Sequence, residues 1–84
     1  MSQRAQTKDQ RFLLALYERA MQQGDVATPF SRYEIGESIG LHKKAINTIC
    51  RDLLQCNFLK KEGPDDVYLT KNGEALVLSI LESQ

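Results

Sequence analysis

The chain has 84 residues, enough for one small domain near the lower limit of a self-sufficient hydrophobic core. Its apolar share is 42%, that of an ordinary folded chain, and no apolar run approaches the roughly 20 residues of a membrane-crossing helix. Eleven basic residues balance eleven acidic ones, so the whole-domain basic excess that usually accompanies nucleic-acid binding is missing.

The polar opening MSQRAQTKDQR has no apolar core segment; no secretory signal is expected, and the expected location is cytoplasmic. Residues 1–6 are read as a flexible N-terminal arm and residues 7–84 as one domain. Thr7 and Gln10 spell a T-x-x-Q capping box, which starts a first helix running to about Gln23, where Gly24 supplies a left-handed stop. Phe12, Leu13, Leu16, Tyr17, Ala20 and Met21 recur at helical spacing as an apolar stripe that Leu14 widens. Asp25 to Phe30 contains Pro29 and is expected to be a connector with at most a short edge strand.

Ser31 and Glu34 spell a second capping box, S-x-x-E, which opens a short helix through Ile39 with Ile35 and Ile39 on one face. Gly36 costs that helix about 1 kcal/mol relative to alanine, a cost explained if the next helix crosses closely there. Gly40 makes the turn and Leu41 plugs the corner. A third helix runs from about His42 to Cys56, with Ile46, Ile49, Cys50, Leu53 and Leu54 at i, i+3, i+4, i+7 and i+8 as its inward face. Asn57 takes a left-handed exit. Phe58 to Glu62 reads as a strand, Gly63-Pro64-Asp65-Asp66 as a turn and Val67 to Leu69 as the returning strand of a β-hairpin. Thr70 caps a last helix to about Glu82. Its Ala75, Leu76, Val77, Leu78, Ile80 and Leu81 cover nearly the whole circumference, so burial on more than one side is expected: one side against the domain's own core, the other against a second subunit.

Cys50 and Cys56, the only cysteines, would lie about 9 Å apart along one helix and point to different sides, so they cannot bridge each other. Both are expected to be small buried side chains in a reducing compartment. Two cysteines and the lone His42 make no zinc set, and adjacent Asp65 and Asp66 fall far short of a calcium loop. His42 has no nucleophile or carboxylate partner at a recognisable spacing and reads as a surface residue at a helix start. No phosphate loop, nucleophile elbow or cofactor fingerprint occurs, so neither an enzyme nor a cofactor is expected.

The charge is unevenly placed. Leu41 to Lys61 holds five basic residues against Asp52 alone, a net of +4, while the remainder holds six basic and ten acidic residues, a net of −4. The positive end coincides with the helix-turn-helix spacing, and the outward face of the third helix carries Lys43, Lys44, Asn47, Thr48 and Arg51. A cationic, amide-bearing helix after a tight turn suits a DNA major groove. Lysines near the helix start would meet phosphates or guanine edges, and Asn47 and Arg51 could bond base edges. The alternative for the same residues is an ordinary solvated helix face.

The order helix, helix, turn, helix, hairpin, helix resembles a winged helix-turn-helix DNA-binding domain over roughly Thr7 to Ser83. The stretch IGLHKKAINTICRDLLQCNFLKKEG followed by VYLTKNGEALV carries the likeness, which is to bacterial regulators of the MarR-like, ArsR-like and PadR-like kinds. Leu41, Ile46, Cys50, Leu53, Asn57, Phe58 and Leu59 match the leucine corner, the recognition-helix core and the helix exit; Leu69, Thr70 and Gly73 match the "LT-x-x-G" that ends the hairpin. The resemblance implies a mainly α fold with a small β-hairpin wing: a three-helix core, a two-stranded wing and a C-terminal helix. It also implies a phosphate contact for Arg32 at the start of the second helix. The chain departs from the pattern at Asn57, where glycine is usual, at His42, where a serine or threonine cap is usual, and at the acidic wing tip. Two carboxylates near phosphates repel, so the wing is expected to stay clear of DNA and leave backbone contact to Lys60 and Lys61.

The resulting expectation is a sequence-specific transcriptional regulator that reads double-stranded DNA with residues 42–56 and forms a homodimer through residues 7–23 and 71–82. Arg4, Lys8 and Arg11 would add phosphate contacts or merely solubilise the chain, and Tyr33 and Tyr68 would flank the site or sit half-buried. The competing expectation is a winged-helix protein-interaction module within a larger assembly, for which neutral charge and an acidic wing are natural. Structured RNA would use the same charges.

Overall fold

The computed structural model describes residues 6–83, so the expected arm, Arg4 included, lies outside the described residues except for Gln6. Helix α1 (Lys8–Gln22) opens on the reciprocal pair expected of its capping box: the Gln10 amide donates to Thr7 Oγ1 and the Thr7 amide donates to Gln10 Oε1, both at 3.1 Å. Gln23 closes it and Gly24 follows at φ +84°. Phe12, Leu13, Leu16 and Ala20 are buried, while Met21, on the same stripe, emerges at the helix end.

The second capping box does not form. Ser31, which precedes α2 (Arg32–Ser38), makes no side-chain bond to the helix. The Glu34 carboxylate turns instead to α1, where it accepts from Arg19 Nη1 at 2.7 Å. The backbone of Ser31 is engaged elsewhere. Phe30 and Ser31 form a short strand β1 (Phe30–Ser31), which pairs antiparallel with β3 (Asp66–Leu69), placing Phe30 opposite Val67 and Ser31 opposite Asp66. With β2 (Leu59–Glu62) on the other side of β3, the sheet has three strands in the order β1-β3-β2, one more than the hairpin alone. The connector's edge strand is therefore real, and it ties the hairpin to the start of α2: the Arg32 amide donates to the Asp65 carbonyl at 3.0 Å.

Gly40 turns the chain at φ +83°, and buried Leu41 returns its amide to the Gly36 carbonyl at 3.0 Å. Helix α3 (Lys43–Gln55) follows, with His42 as a cap that makes no side-chain bond. Its exit has the paired bonds of a Schellman motif: Phe58 N–H to the Leu53 carbonyl at 3.0 Å and Asn57 N–H to the Leu54 carbonyl at 3.1 Å, with Asn57 at φ +64°. Asparagine does here what glycine does elsewhere because its short polar side chain tolerates the left-handed region.

Thr70 caps α4 (Lys71–Glu82) by accepting the Gly73 amide at 3.0 Å, and its hydroxyl donates to the Asn57 carbonyl at 2.6 Å. One residue thus starts the last helix and fastens it to the exit of α3. Phe12, Leu13, Leu16, Ile35, Ile46, Cys50, Leu59, Val67 and Val77 are fully buried and come from α1, α2, α3, α4 and both hairpin strands, so a single core joins every layer. The last helix buries Gly73, Val77 and Ile80 but leaves Leu78 and Leu81 each 42% exposed. Among the described residues no helix is long and apolar enough to cross a membrane.

Candidate nucleic-acid interface

The inward face of α3 is set by Ile46, Ile49, Cys50 and Leu53, all buried. At about 100° per residue, Lys44, Arg51 and Gln55 fall on the ridge opposite them. Thr48 shares that ridge, on its side nearer the start of α1, and Lys43 and Asn47 lie on the flank nearer α2. All five side chains expected to face outward, Lys43, Lys44, Asn47, Thr48 and Arg51, are exposed. From Lys44 to Arg51 the ridge extends about 10 Å, two turns of helix.

On the α2 flank, Tyr33 gathers two of these residues. Its hydroxyl donates to Asn47 Oδ1 at 2.9 Å, and the Lys43 ammonium stands 5.3 Å from the centre of its ring, within cation–π range. Tyr33 is half-buried and packs against the core, so its ring is held from below. On the opposite flank, Lys44 and Thr48 line an open groove of about 440 Å³ together with Ala45, Ile49, His42 and, from α1, Lys8 and Asp9. The Thr48 hydroxyl donates back to the Lys44 carbonyl at 3.1 Å. The structure therefore adds Lys8 and His42 to the surroundings of Lys44. Arg51 is 67% exposed, with only a loose approach to Asp52 at 3.8 Å, a pair of little energetic weight in solvent.

The remaining expected residues are less well gathered. Arg32 is half-buried, and its Nε donates to the Asp65 carbonyl at 3.3 Å, so the wing turn occupies part of the guanidinium. Lys60 stands opposite Tyr68 and Lys61 opposite Val67. Because strand side chains alternate, Lys61 emerges on the core side of the sheet and Lys60 on its outer side, and the two do not share a face. Arg11 donates to the Ile39 carbonyl at 2.9 Å, which fixes it at the end of α2.

The two cysteines differ. Cys50 is fully buried, and burial pushes its thiol up to about 11 from the ordinary 9.0 while the positive charge of Arg32 partly opposes the rise. Cys56 is exposed, contrary to the expectation that both are buried, because the helix ends there and its cap position faces solvent. Among the described residues no three His, Cys, Asp or Glu side chains gather as a metal set.

The role of Tyr33 as a link between Asn47 and Lys43 was not visible in the sequence, because the link joins positions 14 apart through a helix crossing. Comparison of the chain with family models, with curated proteins and with solved structures finds no match in any of the three.

Proposed function

We propose that the chain is a winged helix-turn-helix protein that binds double-stranded DNA, with α3 in the major groove and the hairpin of β2 and β3 as its wing. The supporting observation is the exposed ridge of α3: Lys44 and Arg51 are backed by a rigid core and flanked by Lys43, Asn47 and Thr48. Phosphate attraction positions such a helix and base edges give it sequence choice. Lys8 and Lys44 line the groove between α1 and α3 together with Asp9, so phosphate attraction there draws on two cations against one carboxylate, while Asp65 at the exposed wing turn is unfavourable close to DNA. The protein acts as a small transcriptional regulator and pairs with a second copy through α1 and α4, which sets two recognition helices about 34 Å apart for successive major grooves.

Titration of duplex DNA at two salt concentrations tests the proposal. With roughly four phosphates neutralised per subunit, the logarithm of affinity should fall with the logarithm of salt at about −0.9 per phosphate. Salt-insensitive binding, or no binding at low salt, would refute it. The second proposal, a protein-interaction module, draws on the exposed Met21, Leu78 and Leu81 and the acidic turn at Asp65. Recovery of the same partners before and after nuclease treatment separates it from DNA binding.

A further inference from the structure

We propose that Tyr33 is the positioning residue for base reading: by holding the Asn47 side-chain oxygen toward α2, it presents Asn47 to DNA as a hydrogen-bond donor and sets a preference for guanine over adenine at one position. The inference rests on DNA binding as proposed above and goes beyond it in assigning both the base and the residue that selects it.

An exposed asparagine rotates broadly about its terminal torsion, and its two amide faces are nearly the same shape. Turned one way it offers an oxygen, and turned the other way it offers two N–H donors. In the major groove this is the distinction that separates the purines. Both present an N7 acceptor, but adenine adds the N6 donor where guanine adds the O6 acceptor. An asparagine free to flip suits either.

Asn47 is biased toward one orientation, because a phenol donates to an amide oxygen more strongly than it accepts from an amide N–H. The Tyr33 hydroxyl donates to its Oδ1 at 2.9 Å, so the oxygen faces α2 and the Nδ2 hydrogens face away from Tyr33. The phenol is itself fixed. Tyr33 is half-buried, packs on the core and belongs to a helix whose crossing with α3 leaves no room for a side chain at Gly36. The Lys43 ammonium over the same ring, 5.3 Å from its centre, adds a cation beside Asn47. A donor pair next to a positive charge matches N7 and O6 of guanine, which are both acceptors, and is mismatched to the N6 donor of adenine.

The test is selection of bound sequences from random duplexes with the unmodified protein, Tyr33→Phe, Asn47→Ala and the double variant. Tyr33→Phe keeps the ring beneath Lys43 and removes only the hydroxyl. The unmodified protein should show one position with guanine preferred over adenine. Tyr33→Phe should reduce that ratio about 2- to 10-fold, the range expected for one hydrogen bond, and leave the other positions and the salt slope as they were. Asn47→Ala should erase the preference, and adding Tyr33→Phe to it should change nothing further. A sequence-specific protein whose profile Tyr33→Phe leaves unchanged, or changes equally without Asn47, overturns this inference alone. Failure of the unmodified protein to bind any duplex overturns the DNA-binding proposal and this inference with it.

Discussion

A methyl group on Gly36 would overlap the side chain of Ile46, so α2 and α3 cross at a separation that only glycine permits. Ile46 is fully buried, so its side chain can yield only by displacing its neighbours in the core. Gly36→Ala would add about 1 kcal/mol of helix propensity. Overpacking costs about 1–3 kcal/mol in a filled core, so the variant should be less stable overall. Denaturant titration should show a lower midpoint with an unchanged slope; a higher midpoint would mean that the crossing can loosen.

Thr70 is the second position where one residue serves two elements. Its Oγ1 accepts the Gly73 amide and its hydroxyl donates to the Asn57 carbonyl. Thr70→Ala should lower stability by about 1–2 kcal/mol, the upper part of the range for a lost cap, because a second bond goes with it. Thr70→Ser keeps the oxygen and should recover most of the loss in the same denaturation experiment.

These two residues mark what a linear sequence discloses. The box at Thr7 and Gln10, the turns at Gly24 and Gly40, the exit at Asn57 and the cap at Thr70 are all local, decided within four or five positions, and all form as read. The box at Ser31 and Glu34 has the same local grammar and fails because Arg19, 15 positions earlier, binds the carboxylate. β1 was legible only as a short edge strand, since its partner β3 lies 36 positions on. In the candidate site, the exposure of the α3 ridge follows from helical period. The alternation of a strand already separates Lys60 from Lys61, whereas the partial occupation of Arg32 by Asp65 needs the fold.

The cysteines should react in order. Cys56 is exposed and should be alkylated promptly near neutral pH, while Cys50 should react only as the protein unfolds. The Cys50 thiol is also a pH sensor of stability. Its folded value is about 11, above the ordinary 9.0, so the folded state favours the protonated thiol. The corresponding stability is fully present below pH 9 and is lost as pH rises from there toward about 11. Cys50→Ala removes this contribution and should flatten the decline of the melting temperature over that window, while lowering stability at neutral pH through the cavity it leaves.

The charges of the ridge and the wing should act oppositely on DNA. Lys44→Ala and Arg51→Ala should each weaken binding and reduce the salt slope by about 1 if the residue meets a phosphate. A base contact by Arg51 would instead relax one position of the bound sequence at a cost of about 1–3 kcal/mol. Asp65→Ala should leave affinity equal or higher, since it removes a carboxylate from an exposed turn. Weaker binding by Asp65→Ala would mean that the Asp65 carboxylate itself supports the site, since the backbone carbonyl that holds Arg32 survives the substitution.

The last helix supplies the final prediction. Val77 and Ile80 close the domain's own core, but Leu78 and Leu81 remain 42% exposed on other sides of the same helix. Two leucines held outward by a helix already anchored at Thr70 cannot turn inward without releasing Val77, and the proposed second copy would cover them. Sedimentation at micromolar concentration should give twice the chain mass of 9.5 kDa. Leu78→Glu together with Leu81→Glu should give the single mass with its helical content retained, since neither side chain belongs to the buried core. The same pair should weaken binding to a two-half-site duplex far more than to a single half-site, because only the former draws on the roughly 34 Å spacing of paired recognition helices. A single mass for the unmodified protein would refute the dimer and leave Leu78 and Leu81 as isolated apolar surface of an ordinary kind.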